Sequence, residues 1–192
     1  MIRVSPIVAL LVLSLLTAFG RSAKAQDDSR VWIEGTSTVN SFTCESDSIE
    51  GSGLLSGSHL TAVEVAVDTL DCGDKRMNKD MRTALRSEEH PVIRFDVSRA
   101  GIEDAGSNRF SIQTTGSIAI AGAVQPVSLT LEGHRQPDGD IRITGKTELK
   151  LSSFGIKRPT ALLGLVRVHD RVVVHFDLAE SAVDVVALGR PL

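Results

Sequence analysis

Cys44 and Cys72 are the only cysteines in the chain, and as a pair they offer two chemistries. In an exported protein an even pair reads first as a disulfide. The loop it would close spans about 29 residues, for which the chain-entropy model gives roughly 3 to 4 kcal/mol. Two thiolates are also half of a structural zinc site, but the short-spaced partner ligands of such a site are missing, so the metal reading is the weaker one. The five histidines are scattered. His169 and His175 fall on one face of a late strand pattern, yet six residues at about 3.3 Å each separate them by roughly 20 Å, too far for one metal. No GxSxG, HExxH or P-loop pattern occurs. No catalytic residue, metal site or required cofactor is therefore assigned, and a binding protein is expected rather than an enzyme.

The N-terminus supplies the compartment. Arg3 provides a positive start, residues 7–19 an apolar stretch, and Ala23-Lys24-Ala25 a small-x-small cleavage site, so residues 1–25 read as a signal peptide. The apolar stretch, broken by Ser14 and Thr17, is shorter than the roughly 20 residues of a spanning helix, and no second such run follows, so no membrane span is expected. No cysteine stands at the cleavage point to carry a lipid. The expectation is a periplasmic or secreted protein beginning near Gln26. Removing Arg3, Arg21 and Lys24 but no acid takes the formal charge from −3 to −6, which disfavours a nucleic-acid partner. Residues 26–192 have the length of one domain, with neither linker nor internal repeat. A homodimer is compatible with these patterns.

One helix stands out among strands. Met77, Met81, Ala84 and Leu85 recur at four- and three-residue spacings on one face, while Lys75, Lys79, Arg82 and Arg86 fall mainly on the rest. Asp74 can cap the start, basic residues fill the last turn, and Pro91 stops continuation, which predicts a helix over residues 75–87. A lone amphipathic helix among strands must cover a sheet or the open end of a barrel. Its methionines either finish a core or, being adaptable, form a lid over a cavity.

Everything else alternates. Residues 30–44 read as one long strand bent near Gly35, and residues 48–55 and 60–70 as a hairpin across Ser56-Gly57-Ser58-His59. Alternating runs follow at 92–97, at 110–120 with a bend at Gly116, at 127–131, at 141–151 after the Pro137-Asp138-Gly139-Asp140 turn, and at 172–178. Eight strands with one helix and no βαβ rhythm predict an all-β fold, an eight-stranded antiparallel barrel, because closure removes exposed edges. Such a barrel is filled by side chains or holds one slender ligand. Residues 181–192 have no clear partner. The connection at 153–166 is too apolar for an ordinary exposed loop: Leu162, Leu163 and Leu165 either plug a barrel end or line its mouth.

Four stretches also carry a resemblance. Met77 through Ser87 with His90-Pro91-Val92-Ile93-Arg94-Phe95 looks like an Asp-x-x-Leu-Arg-Ser helix leading into a Tyr-Pro-x-Ile-x-Phe strand. Gly116 through Val127 is similar to a Gly-x-Leu-x-Ile-x-Gly-x-Thr-x-Pro-Val hairpin, Ser152-Ser153-Phe154-Gly155 to a Ser-Asp-Phe-Gly turn, and Asp170 through Leu178 to a closing strand. Together they resemble the YceI-like family of exported, lipocalin-like, polyisoprenoid-binding proteins across nearly the whole mature chain. The resemblance implies a lipocalin-like barrel with a helix at one end and a long apolar pocket for an isoprenoid-tailed lipid or quinone. The first strand departs from the family pattern, carrying Glu34-Gly35-Thr36-Ser37-Thr38 where Asp-x-x-His-Ser is common, and the two cysteines and the 162–166 segment are not general family features.

The expected function is thus an exported carrier or buffer of an amphipathic lipid, a bound polyisoprenoid or isoprenoid quinone. The alternative is a filled barrel whose outer surface serves protein interaction or stress adaptation in the envelope. The expected lipid-binding residues are Phe95, Phe110, Ile112, Ile118, Leu129, Leu131, Leu149 and Phe154 on the strands and the turn, with Met77, Met81 and Leu85 on one side of the closure and Leu162, Leu163 and Leu165 on the other. Ser37, Asn40, Lys157 or Arg158 would supply polarity at the mouth.

Overall fold

The computed structural model describes residues 29–50, 62–104, 108–137, 140–161 and 165–180. The expected signal peptide, the hairpin connection at 56–59, Leu162, Leu163 and the segment 181–192 lie outside the described residues.

Among the described residues there are ten strands: β1 (Arg30–Ser37), β2 (Ser41–Ser46), β3 (Ile49–Glu50), β4 (Ala62–Ala66), β5 (Val92–Asp104), β6 (Arg109–Ile120), β7 (Ala123–Arg135), β8 (Ile141–Lys150), β9 (Thr160–Ala161) and β10 (Val166–Glu180). They form one antiparallel sheet in the order β2-β1-β10-β8-β7-β6-β5-β4-β3, with β9 appended to β10. The sheet curls until its ends meet. Glu45 of β2 and Asp71, just beyond β4, exchange backbone hydrogen bonds of 2.9 and 2.8 Å. Beside them Ser46 Oγ and Thr69 Oγ1 are 2.7 Å apart, and Cys44 is bonded to Cys72. The result is a nearly closed lipocalin-like barrel whose seam is tied by a bridge, a hydroxyl pair and a disulfide.

The strand count corrects the expectation of eight. The run at 30–44 is two strands, because Ser37 and Asn40 build a local turn between them: Ser37 Oγ donates to Asn40 Oδ1 at 2.7 Å and accepts from the N–H groups of Val39 and Asn40. Side chains that bond their own backbone compete with the ladder and end it. The run at 60–70 likewise stops as a strand at Ala66 and continues as a 3₁₀ turn, Val67–Thr69, where the Thr69 hydroxyl donates to Ala66 O at 2.8 Å. The two-residue β9 makes up the remaining difference.

Inside the barrel the alternation of the strands becomes a core in two parts. Away from the helix, Phe110, Ile112, Leu131, Ile141 and Ile143 are each at most 3% exposed and fill the interior. Toward the helix, Val67, Leu70, Leu85, Leu149, Phe154 and Val172 form a second cluster. Three inward phenylalanines each lie across a glycine directly opposite on the neighbouring strand: Phe42 on Gly35, Phe110 on Gly133 and Phe176 on Gly145. A Cβ at Gly133 would stand 2.2 Å from the Phe110 ring, so the glycine is the space the ring occupies. Gly133→Val is accordingly expected to cost about 1 to 3 kcal/mol by overpacking, read from the denaturant midpoint at unchanged slope. A variant as stable as the parent would show that the ring has room to move.

The helix α1 (Lys75–Leu85) lies across one end. Asp74 Oδ1 accepts from the backbone N–H groups of Arg76 and Met77, both at 2.9 Å, and Arg86 ends the helix in the left-handed conformation at φ 54°. Asn78 fastens it to the seam. Its Oδ1 accepts from the Cys72 N–H at 2.7 Å and its Nδ2 donates to Asp71 at 2.8 Å. No helix among the described residues is long and apolar enough to cross a membrane.

Candidate functional site

Two cavities lie along the barrel interior. The outer one, about 310 Å³, is roofed by α1 and walled by β1, β2, the segment after the turn Leu151–Phe154, and the start of β10. Met77, Met81, Ala84 and Leu85 face it from the helix; Ile33, Phe42, Ile156, Pro159, Val166 and Val172 face it from below and beside. Its volume sits at the lower end of the roughly 300 to 1,000 Å³ of small-molecule sites. Ser37, Asn40, Asp74, Arg76 and Asp80 stand at its polar edge, and the disulfide itself is part of its wall. The inner cavity, about 100 Å³, is lined by side chains such as Val63, Phe95, Ile118, Leu129, Leu131 and Phe176, with Thr147 its one polar lining residue.

The helix residues expected at the closure, Met77, Met81 and Leu85, all line the outer cavity, and Phe95, Ile118, Leu129 and Leu131 line the inner one. Phe110 and Ile112 belong to the filled far end, while Leu149 and Phe154 pack in the core under the helix; these four line neither cavity. Leu165 is 78% exposed and does not line the outer cavity, whose wall on that side is made by Ile156, Pro159, Thr160 and Val166. Of the polar candidates, Ser37 and Asn40 reach the edge; Lys157 borders a separate, more polar hollow of about 680 Å³ on the other side of the helix and Arg158 lines none of these spaces. Phe42 and the disulfide as a wall escaped the sequence reading, since nothing in the alternation of β2 tells which neighbour its side chains meet. Thr114 escaped it too: this threonine is 2% exposed on β6 and its hydroxyl has no hydrogen-bond partner among the described residues.

The ionisable groups near the site hold structure in place. The Asn78 amide and then the Gly73 N–H pull the Asp71 carboxyl below its usual range, and the Ser152 hydroxyl and N–H do the same for Asp170, tying the start of β10 to the turn Leu151–Phe154. Because both carboxyls are depressed in the fold, their contribution is present above the ordinary carboxylate range and is lost as the pH falls through the folded values. The two histidines of β10 serve separate contacts. His169 Nδ1 lies 2.9 Å from Thr36 Oγ1, whereas His175 stacks on Trp32 at 4.8 Å and meets Glu34 at 3.2 Å. Among the described residues no three His, Cys, Asp or Glu side chains are placed to hold a metal ion.

An antiparallel barrel capped by one helix, with an apolar interior and a polar rim, is a lipocalin-like fold. Within that class the chain belongs to the YceI-like domain family, whose model matches residues 25–179. In structure it is similar to BcnA of Burkholderia cenocepacia, at a TM-score of 0.63 and 18% identity over 80% of this chain and 96% of that one. It is similar as well to a polyisoprenoid binding domain from Saccharophagus degradans implicated in plant cell wall breakdown, at 0.62 and 14% identity over 80% of this chain and 94% of that one. No curated protein sequence matches the chain.

Proposed function

We propose that this protein binds an amphipathic lipid with an isoprenoid tail and carries or buffers it in the cell envelope. The observation that carries the reading is the outer cavity, an almost wholly apolar space of about 310 Å³ at the helix-covered end of the barrel, with a second apolar space deeper along the same interior. At about 25 cal/mol per Å², a few hundred Å² of buried tail supports substantial affinity. Kinship with the YceI-like family and the fold shared with a polyisoprenoid binding domain support the same class of ligand. The side chains proposed to meet the tail are Met77, Met81 and Leu85 first, then Phe95, Ile118, Leu129 and Leu131. The head group stays at the edge with Ser37 and Asn40.

Export is part of the proposal. It is supported by the N-terminal pattern of Arg3, the apolar stretch and Ala23-Lys24-Ala25, and by a disulfide that suits an oxidising compartment.

The roof supplies a test. Met81 is half-buried and borders open space, so Met81→Ala should cost less than the roughly 2 to 5 kcal/mol of a core truncation while speeding exchange of bound lipid. Unfolding and lipid retention measured on the same variant decide it. A full core-sized loss with unchanged lipid exchange would make the helix a plug instead of a roof.

A further inference from the structure

The outer and inner cavities lie along one interior, and the partition between them differs in thickness around the barrel. On β8 the buried Leu149 follows Thr147, on β6 Ile120 follows Ile118, and Val67 and Leu70 stand between Val65 of the inner wall and Cys72 of the outer. Leu149, Ile120, Val67 and Leu70 are at most 9% exposed and line neither cavity. Along β1 and β10 no such residue intervenes. Val31 lines the inner cavity and Ile33, the next side chain on the same face, the outer; on β10 Val172 lines the outer and Val174 the inner. Ile33 and Val174 are register partners. Side chains directly opposite on paired strands stand about 4.5 to 5.5 Å apart at Cβ, so here a single pair of side chains separates the two spaces. Both residues stay half-buried inside the barrel, as side chains that face open space do.

Volume gives that thin partition its consequence for a tail. An apolar cavity of about 150 Å³ takes one benzene ring. By that measure the outer cavity, about 310 Å³, takes about two rings' worth, roughly twelve carbons, and the inner one, about 100 Å³, takes about four more. An isoprene unit has five carbons, so about two units fit beneath the helix. A third is buried only by passing between Ile33 and Val174. Branching at Cβ restricts χ1 in both residues, which leaves the end of the Ile33 side chain, turning about χ2, as the part that moves aside.

We propose that Ile33 and Val174 form the constriction that sets how much tail this protein buries: about three isoprene units, two in the outer cavity and the last beyond the pair, with any remainder of the chain left outside the barrel. The proposal rests on the lipid-binding reading and deepens it, because it makes the recognised group a short isoprenoid segment of fixed length. Affinity should then grow with each unit up to the third and stop growing there.

Geraniol, farnesol and geranylgeraniol carry two, three and four isoprene units, and their binding to the purified protein tests the constriction. Each prenol is delivered from cyclodextrin in a calorimetric titration and its Kd corrected for its own affinity for the carrier. Farnesol should bind at least about tenfold more tightly than geraniol, and geranylgeraniol within about twofold of farnesol. Ile33→Ala removes everything beyond Cβ and joins the cavities, so geranylgeraniol should gain about tenfold over farnesol in that variant. Val174→Phe fills the passage from the other strand, and the advantage of farnesol over geraniol should shrink to within about twofold. Should Val174→Phe lose cooperative unfolding, Ile33→Ala decides alone. Kd values that keep falling with the fourth unit in the parent, or a length profile that neither substitution moves, would overturn the constriction and leave lipid binding standing. A parent that binds none of the three prenols would remove the constriction and the lipid-binding reading together.

Discussion

Replacing Cys44 and Cys72 together by alanine is expected to lower the unfolding free energy by roughly 3 to 4 kcal/mol, measured by denaturant titration. The bond spans 28 positions in sequence and lies where the two ends of the sheet meet. Without it the seam retains the Glu45–Asp71 bridge and the Ser46–Thr69 hydroxyl pair, both short and close to the rim. Since the disulfide is also a wall of the outer cavity and Asn78 grips the backbone of Cys72, the same change should loosen the helix over the cavity and speed lipid exchange. A double variant within about 0.5 kcal/mol of the parent, the range of an ordinary surface substitution, would mean that the barrel closes without help from the bond.

Leu131→Ala should cost about 2 to 5 kcal/mol, the range of a buried leucine truncation. Leu131 is 1% exposed, sits between the filled far end and the inner cavity, and touches both. Its removal takes away core contacts and lengthens the space open to a tail. Loss of stability should therefore come with a shift of the bound lipids toward longer chains, seen by mass spectrometry of the extract. Equal destabilisation with an unchanged lipid profile would confine the tail to the outer cavity.

Local patterns were the readable part of this chain. The spacing of Met77, Met81, Ala84 and Leu85, with Asp74 before them, states a capped helix with one dry face, and the structure has it at Lys75–Leu85. The alternation at 110–120 and 127–131 put Phe110, Ile112, Ile118, Leu129 and Leu131 on the inner side, where they are found. What depends on which strand lies beside which was not readable. The Gly–Phe pairs need the register of neighbouring strands, and the Glu45–Asp71 bridge joins segments far apart in sequence. The break between β1 and β2 follows from side-chain hydrogen bonds at Ser37 and Asn40, residues that a strand also tolerates. Leu165 shows the limit of composition: an apolar loop states that something will be covered, but not whether the protein covers it.

Native mass spectrometry of the protein taken from its own cell envelope, followed by solvent extraction and analysis of whatever is released, tests the lipid-binding account most directly. The expected result is a bound species that survives gentle ionisation, is released on unfolding, and proves to have an isoprenoid tail. Protein recovered without any adduct, which also fails to take up a polyisoprenol added in detergent, would contradict the account and favour a barrel that works through its outer surface.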